Sequence, residues 1–201
     1  MSNFVRERIK SIIFYPGYEW KVIAAEKRSL KEDFFAYSLT LIILGGASKA
    51  LGSFFFVRNV LDIDAYRFSF PLSQAFSFIL IQIVTVLILT FFIHGVALKF
   101  ASVKDFVKSG KLVIYGLTPL FLCYIIANLD SSMILALIPA FYSLFLFAKG
   151  LPVMINTRND KVPTFTFLIA LMALGINYIL EVGFSILIHL IFPDISLIKG
   201  L

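Results

Sequence analysis

The stretch of sequence that decides the fold is residues 163–192, PTFTFLIALMALGINYILEVGFSILIHLIF. It is apolar almost throughout and longer than the roughly 20 residues that a helix needs to cross a bilayer. Polar side chains nevertheless recur at every fourth residue, a spacing that keeps them on one helical face: Asn177, Glu181, Ser185 and His189. Because a carboxylate within a membrane span turns toward a partner rather than toward lipid, we expect the other spans to cover this stripe.

The composition of the whole chain indicates an all-α, polytopic membrane protein. Of its 201 residues, 60% are hydrophobic and only 15% are charged, a balance that is unusual for a soluble domain. No segment has the alternating pattern of a transmembrane β-strand. The start of the chain lacks a basic region followed by an apolar core, so no cleaved signal peptide is expected. Cys123 is the single cysteine, which excludes an intrachain disulfide framework.

The hydropathy pattern divides the chain into an N-terminal segment, five spans and a short tail. We expect an amphipathic cytoplasmic segment at residues 1–33, a transmembrane domain at 34–192 and an outer tail at 193–201. The spans are expected at about 34–56, 72–98, 112–128, 132–148 and 163–192. The third and fourth spans contain Pro119 and Pro139, and each proline is expected to kink its helix because it frees a backbone carbonyl.

The N-terminal segment is predicted to form two short amphipathic helices separated by Pro16 and Gly17. In the first helix Arg8 is expected to lie off an apolar face made of Val5, Ile9, Ile12 and Ile13. In the second helix Trp20 and Ile23 share one side. A basic amphipathic helix with a tryptophan next to a span is typical of a segment that lies in the bilayer interface, and a solvated tail is the alternative.

The distribution of Lys and Arg predicts the orientation. The N-terminal segment carries 7 of them, residues 99–111 carry 4 and residues 149–163 carry 3, which makes 14 of the 18 in the chain. The opposite side has 3, and the remaining one is Lys49 in the first span. Since basic loops stay in the cytoplasm, the N-terminus is expected there and the C-terminus outside. The excess of positive charge is thus explained by membrane orientation, and no nucleic-acid partner is expected.

A buried polar cluster is predicted from Lys49, Gln82, Asn177 and Glu181. Counted from the cytoplasmic boundary at about 1.5 Å per residue, Lys49, Gln82 and Glu181 lie at similar depths of about 22–25 Å. We expect Lys49 and Glu181 to form an ion pair, with Gln82 or Asn177 satisfying the remaining donors. Three interpretations are open: a structural pair that fixes helix register, an ion or proton pathway, or a Lys49 that extends to the outer surface.

No residues point to catalysis, to a cofactor or to a metal ion. The chain lacks a nucleophile elbow, a His-Glu-x-x-His motif and a phosphate-binding glycine loop. His94 and His189 are expected near opposite ends of their spans, about 25 Å apart, whereas the ligands of one zinc ion lie within about 2.1 Å of it. We therefore expect no catalytic, cofactor-binding or metal site, and no enzyme.

Two motifs resemble those of bacterial members of the Yip family, the Ypt- or Rab-GTPase-interacting proteins. Tyr115-Gly-Leu-Thr-Pro119 is similar to the element that opens the family's third span. The segment from Tyr142 to Met154, YSLFLFAKGLPVM, is similar to the element that closes the fourth. At the N-terminus, Pro16 followed by Trp20, Ile23 and Glu26 is similar to a further family pattern. The resemblance implies five spans, a cytoplasmic N-terminus and, for a bacterial member, the inner membrane.

The resemblance also bears on the partners. Eukaryotic members of the family bind prenylated Rab GTPases and sibling Yip proteins. This chain has a shorter N-terminal segment and no Asp-Leu-Tyr-Gly-Pro motif, of which only Tyr15-Pro16-Gly17 is a partial match. Binding of a Rab-type GTPase is therefore not expected. The expected partners are membrane lipids, other membrane proteins or a second copy of the chain.

A candidate interaction segment lies at the end of the fourth span, formed by Tyr142, Lys149, Gly150, Leu151, Pro152 and Met154. Its structural interpretation is a helix that Gly150 ends and from which Pro152 sets the exit. Its functional interpretation is a cytoplasmic surface that a partner binds. We expect a Yip-type protein that acts without catalysis, by protein or lipid interaction in membrane organisation. The alternative is a small carrier or channel for an ion, a proton or a lipid, built on the Lys49 and Glu181 cluster.

Overall fold

A computed structural model describes residues 3–56, 68–127 and 134–191, and these residues contain helices and no strand. The α-helices are α1 (Asn3–Phe14), α2 (Pro16–Ala25), α3 (Leu30–Asp33), α4 (Leu39–Phe56), α5 (Ser69–Val96), α6 (Phe106–Gly116), α7 (Thr118–Ala127), α8 (Ile134–Ile155) and α9 (Val162–Ile191). A π-helical turn (Phe34–Ser38) joins α3 to α4, and a 3-10 turn (Ala97–Phe100) follows α5. The expected outer tail, 193–201, lies outside the described residues.

Within the described residues, five helical stretches are long and apolar enough to cross a membrane, which confirms the predicted all-α fold with five spans. They are numbered here as spans 1 to 5: Leu30–Phe55, Ser69–Phe100, Phe106–Ile126, Ile138–Ile155 and Val162–Ile188. Span 3 begins six residues earlier than the hydropathy pattern indicated. The reason is that Asp105 caps α6 by accepting a hydrogen bond from the Lys108 amide, so that Lys108 and Lys111 belong to the helix and not to a loop.

The end of span 4 also differs from the expectation. Gly150 does not end the helix, because α8 continues through Gly150 and Pro152 to Ile155. A Cβ atom on Gly150 would lie only 2.5 Å from Leu112 Cδ1 and 2.7 Å from Trp20 Cε2. The glycine therefore allows close packing inside the helix. The helix ends instead at Asn156, whose φ of 53° is the left-handed conformation that asparagine adopts readily after a helix.

The two predicted kink residues lie in different surroundings. Span 3 is divided at Leu117, which separates α6 from α7 directly before Thr118 and Pro119. Pro139 lies inside α8, and the helix continues past it. At the division in span 3, Gly116 brings α6 close to α8, since a Cβ there would lie 2.8 Å from the Phe147 ring.

Span 2 has a central position in the bundle. Helix α5 packs against α4, α6 and α9, while α8 packs against α6, α7, α9 and the N-terminal α2. Span 5 is the most peripheral of the five, and much of its apolar surface is exposed at Leu174, Tyr178 and Ile179. In a membrane this surface faces lipid or another protein.

The loops after spans 2 and 4 meet at one end of the bundle. The Val103 amide donates a hydrogen bond to the Ile155 carbonyl at 2.7 Å, and the Ser102 and Thr157 hydroxyls lie 2.8 Å apart. The N-terminal helices lie at this same end, where Leu30 packs against Gly110 of α6. We call this end, formed by residues 3–12, 19–33, 101–105 and 156–161, the basic end.

The N-terminal helices pack onto the protein and bury Trp20 completely, which corrects the expectation that Trp20 lies in the bilayer interface. Helices α1 and α2 form a hairpin whose inner residues include Val5, Ile12, Trp20 and Ile23, each at most 1% exposed. Trp20 fits against Gly150 of α8 because the glycine leaves room for the indole ring. The apolar side of α2 is therefore covered by α8 of span 4.

Candidate functional site at the basic end

The centre of the basic end is Arg8, which lies on the buried face of α1 together with Val5 and Ile12. Its guanidinium forms ion pairs with Glu19 of α2 and with Glu26 at the end of α2. Only 6% of the Arg8 side chain and 7% of the Glu19 side chain remain exposed. The pairs thus join the two arms of the hairpin from the inside.

The carboxylates keep Arg8 charged in spite of its burial. Burial lowers the pKa of a guanidinium, but the hydrogen bond to Glu26 and the charges of the two carboxylates outweigh it, so the pKa of Arg8 is raised above its ordinary value. Aromatic rings add to the stabilisation of the cation, because the guanidinium carbon lies 5.3 Å from the Phe4 ring centroid and 5.5 Å from that of Tyr115.

A second group of charges connects the hairpin to spans 1 and 3. Asp33, fully buried at the start of span 1, accepts a hydrogen bond from Arg28 Nε at 2.8 Å. Lys111 Nζ of α6 lies 3.5 Å from Asp33 Oδ2 and donates a hydrogen bond to the Glu26 carbonyl at 3.2 Å. The hydrogen bond that Arg28 donates to Asp33 raises the pKa of Arg28 above its ordinary value. Lys111 thereby contacts both the hairpin and the first span.

These six charged side chains form a balanced set of three cations and three carboxylates, which we call the charge network: Arg8, Glu19, Glu26, Arg28, Asp33 and Lys111. Buried charges are tolerated only when each is paired, and removing one partner leaves the other uncompensated. The network therefore fixes the position of the hairpin on the spans. Further along spans 1 and 3, the Tyr37 hydroxyl lies 2.8 Å from Thr118 Oγ1 and adds a contact between the two spans.

The sequence pattern missed this network because its members are far apart in the chain and occur among other charged residues. One local signal was present. Arg8 follows Val5 by three residues and precedes Ile12 by four, which places it on the same helical face as these two buried residues. The expectation that Arg8 lies off the apolar face is wrong, because the buried face is formed by Val5, Arg8 and Ile12, whereas Ile9 and Ile13 are only half-buried.

The candidate interaction segment lies beneath the hairpin. Leu151 and Met154 are almost fully buried, and Gly150 is in contact range of Trp20. The Tyr142 hydroxyl donates a hydrogen bond to the Ile13 carbonyl at the far end of the hairpin. Pro152 is half-buried, and Lys149 is exposed with its Nζ 5.6 Å from the Phe145 ring centroid. The chain's own N-terminus thus contacts this segment at Tyr142 and Gly150.

The structure joins only two of the four residues of the predicted polar cluster. Gln82, 3% exposed, donates a hydrogen bond from Nε2 to Asn177 Oδ1 at 3.3 Å, and Asn177 Nδ2 donates to the Ala173 carbonyl at 2.9 Å. Lys49 is half-buried and Glu181 is exposed.

Among the described residues, no ion pair within 4.0 Å joins Lys49 to Glu181. The physical reason is the packing order. Helix α9 packs mainly on α5 and α8, whereas α4 packs on α5 and α7. Equal depth in the membrane therefore does not bring the two side chains together.

No group of three or more His, Cys, Asp or Glu side chains within the described part of the chain could hold a metal ion. His94 lies against Phe106, with 5.5 Å between the ring centroids. The side chain of His189 lies outside the described residues.

A comparison with family models matches residues 10–180 to the Yip1 domain. The chain belongs to the Yip1-domain family. The match spans the Tyr142–Met154 segment and every member of the charge network except Arg8, which precedes it. Searches of curated proteins and of solved structures found no match. The resemblance inferred from the sequence motifs is thus confirmed, and this Yip1-domain protein is integral to a membrane.

Proposed function

We propose that this Yip1-domain protein acts without catalysis, by interaction with lipids and membrane proteins in membrane organisation. The observation that carries the proposal is the hairpin fixed across the Tyr142–Met154 segment by the charge network. A segment held by buried ion pairs presents its outer face as a preformed surface, so that a partner does not have to order it on binding.

Exposed cations on this surface favour an anionic lipid partner. They include Arg6, Lys10, Lys21, Lys27, Lys31, Lys104 and Arg158. Each basic residue near a membrane surface contributes about 1 kcal/mol to attraction by anionic lipids. The same charges support a cytoplasmic basic end, in a bacterial inner membrane, by the positive-inside rule.

Native mass spectrometry of the protein released from its own membranes tests the proposal. We expect co-released anionic phospholipid or a second membrane protein on the wild type. Replacing Lys21, Lys27 and Lys104 by Gln should remove most of it, because these exposed side chains take no part in the charge network. The matched control replaces exposed polar residues at the opposite end of the bundle, Ser69→Ala and Ser185→Ala, and should retain the lipid or protein. A bare monomer in the wild-type sample and in the control sample would contradict the proposal.

The carrier alternative is supported by the hydrogen bond between Gln82 and Asn177, which places two polar side chains between spans 2 and 5. Ion or proton flux into liposomes that contain the purified protein tests it. Flux that is lost on Glu181→Gln and unchanged on Thr164→Ala would favour a carrier over an interaction protein.

A further inference from the structure

The turn between α1 and α2 exposes three large aromatic side chains. Phe14, Tyr15 and Tyr18 are 69%, 66% and 71% exposed, whereas Trp20, two residues further along the chain, is fully buried. We call residues 14–18 the aromatic tip. Three exposed aromatic side chains on one turn are costly in water, and groups of this kind commonly mark a surface that meets a protein or a membrane.

The position of the aromatic tip along span 4 follows from one hydrogen bond. The Ile13 carbonyl, next to the tip, accepts from the hydroxyl of Tyr142. Tyr142 precedes Ile155, the last residue of α8 at the basic end, by thirteen positions, which corresponds to about 20 Å along the helix axis. The tip therefore lies beside the interior of a membrane span.

A second contact is consistent with this orientation. Trp20 packs against Gly150, which lies about 8 Å from Ile155 along α8. From Trp20 to Pro16 at the turn, the second arm of the hairpin extends about 6 Å further at helical rise. The other end of the hairpin, at the Glu26 carbonyl, contacts Lys111 in the second turn of α6. The hairpin thus enters from the basic end and points its tip inward.

We infer that the aromatic tip is inserted among the lipid acyl chains of the bilayer, beside span 4. The surface around it has the required character, because Phe141 and Phe145, on either side of Tyr142, are exposed as well. The partner is the hydrocarbon of the bilayer, and the tip is a re-entrant part of the membrane domain. This inference concerns the position of the hairpin and does not depend on the proposed function.

Several backbone groups of the turn are paired within the protein. The Tyr15 carbonyl accepts hydrogen bonds from the amides of Tyr18 and Glu19, and the Tyr15 amide donates to the Ser11 carbonyl. Pro16 has no N–H to satisfy, and the Ile13 carbonyl is paired with Tyr142. Pairing of these groups lowers the cost of removing them from water.

The charges of the hairpin lie on the basic-end side of the tip. The nearest exposed cations are Lys10 and Lys21, which precede and follow the tip by about one helical turn. Long lysine side chains can extend from such positions to the headgroup level. The tip can therefore enter the leaflet without burying an unpaired charge.

Fluorescence quenching by brominated phospholipids tests the inference. Trp20 is the only tryptophan, so Trp20→Phe gives a silent background into which Phe14→Trp is introduced. In proteoliposomes this tryptophan should lose most of its emission to lipids brominated in mid-chain and little to aqueous iodide. The matched control, Lys27→Trp at the opposite end of the same hairpin, should show the reverse. Iodide quenching at Phe14→Trp equal to that at Lys27→Trp would overturn the inference.

A second measurement keeps Trp20 in place, in case its replacement loosens the hairpin. In a Cys123→Ser background, a spin label on Tyr18→Cys should be accessible to oxygen and protected from a water-soluble nickel chelate, unlike a label on Lys27→Cys. A Tyr18 label protected from both reagents would also overturn the inference, since a second protein would then cover the tip. Either failure leaves the lipid co-release expected of the basic end unaffected, so the two proposals are tested separately.

Discussion

At the scale of the residue, Gly150 shows how the absence of one methyl group positions the N-terminus. The indole of Trp20 and the side chain of Leu112 occupy the space where a Cβ atom would lie. Span 4 thereby accepts a residue from the hairpin and a residue from span 3 at the same point. This contact explains a glycine that the sequence pattern assigned to the end of a helix.

Replacement of Gly150 by Ala should lower the free energy of unfolding by about 1–3 kcal/mol, the usual cost of overpacking a core. Thermal unfolding in detergent, followed by Trp20 emission, measures the change. Gly175→Ala on α9 is the control, because nothing lies within 4 Å of a Cβ there, and its effect should stay within about 0.5 kcal/mol. Equal effects at the two glycines would contradict the packing role of Gly150.

Arg8 is the second decisive residue, because its removal leaves the buried carboxylate of Glu19 without a partner. Arg8→Ala should destabilise the docked hairpin by about 3 kcal/mol, near the lower limit for breaking a buried pair. The rate of trypsin cleavage after Lys21 or Lys27 in the native protein reports this change. Exposed Arg6 on the same helix is the control.

Two results would decide the role of Arg8. Arg6→Ala should leave the cleavage rate unchanged, and Glu19→Gln added to Arg8→Ala should recover part of the loss, because the uncompensated charge is then removed. Cleavage that is equally slow in Arg8→Ala and in the wild type would show that the hairpin is held by apolar packing alone.

At the scale of the element, the sequence was sufficient for what hydropathy decides. Five spans follow from apolar runs of about 20 residues, whatever their neighbours. The start of span 3 could not be read in the same way, since Lys111 resembles a loop residue until its pairing with Asp33 is known. The docking of the hairpin was hidden for the same reason, because an apolar stripe fits a bilayer surface and a protein surface equally well.

The contact between spans 2 and 5 depends on one side-chain hydrogen bond. The coupling energy between Gln82→Leu and Asn177→Leu should be about 0.6 kcal/mol, the average for hydrogen bonds between membrane helices. A double-mutant cycle of unfolding in mixed micelles measures it. A cycle that combines Thr90→Val with Asn177→Leu should show no coupling, since the Thr90 hydroxyl bonds to Val86 within its own helix. Coupling of equal size in both cycles would contradict a direct contact.

At the scale of the whole molecule, the distribution of Lys and Arg predicted that the loops after spans 2 and 4 lie on the same side. The hydrogen bonds between residues 102–103 and 155–157 hold the two loops at one end, as expected for alternate loops of a chain that crosses the membrane at each span. The match in depth between Lys49 and Glu181 was less informative, since depth gives one coordinate and leaves the arrangement of helices around the bundle undetermined.

Labelling of single cysteines tests the orientation. In a Cys123→Ser background, Lys27→Cys, Lys104→Cys and Asn159→Cys should all react with a membrane-impermeant maleimide in inverted vesicles and not in intact cells. The three exposed positions sample the N-terminal segment and both loops of the basic end. Reaction of any one of them from the opposite side would contradict the shared placement.

The hydrogen bonds between the two loops also have a mechanical consequence. Val103 and Ile155 tie the connection between spans 2 and 3 to the connection between spans 4 and 5. The stacked rings of Phe100 and Phe165, 4.3 Å apart, reinforce this tie at the same level. We therefore expect relative movement of the joined helices to be smallest at the basic end and largest at the opposite end of span 5, where Ile186 and Leu190 are exposed.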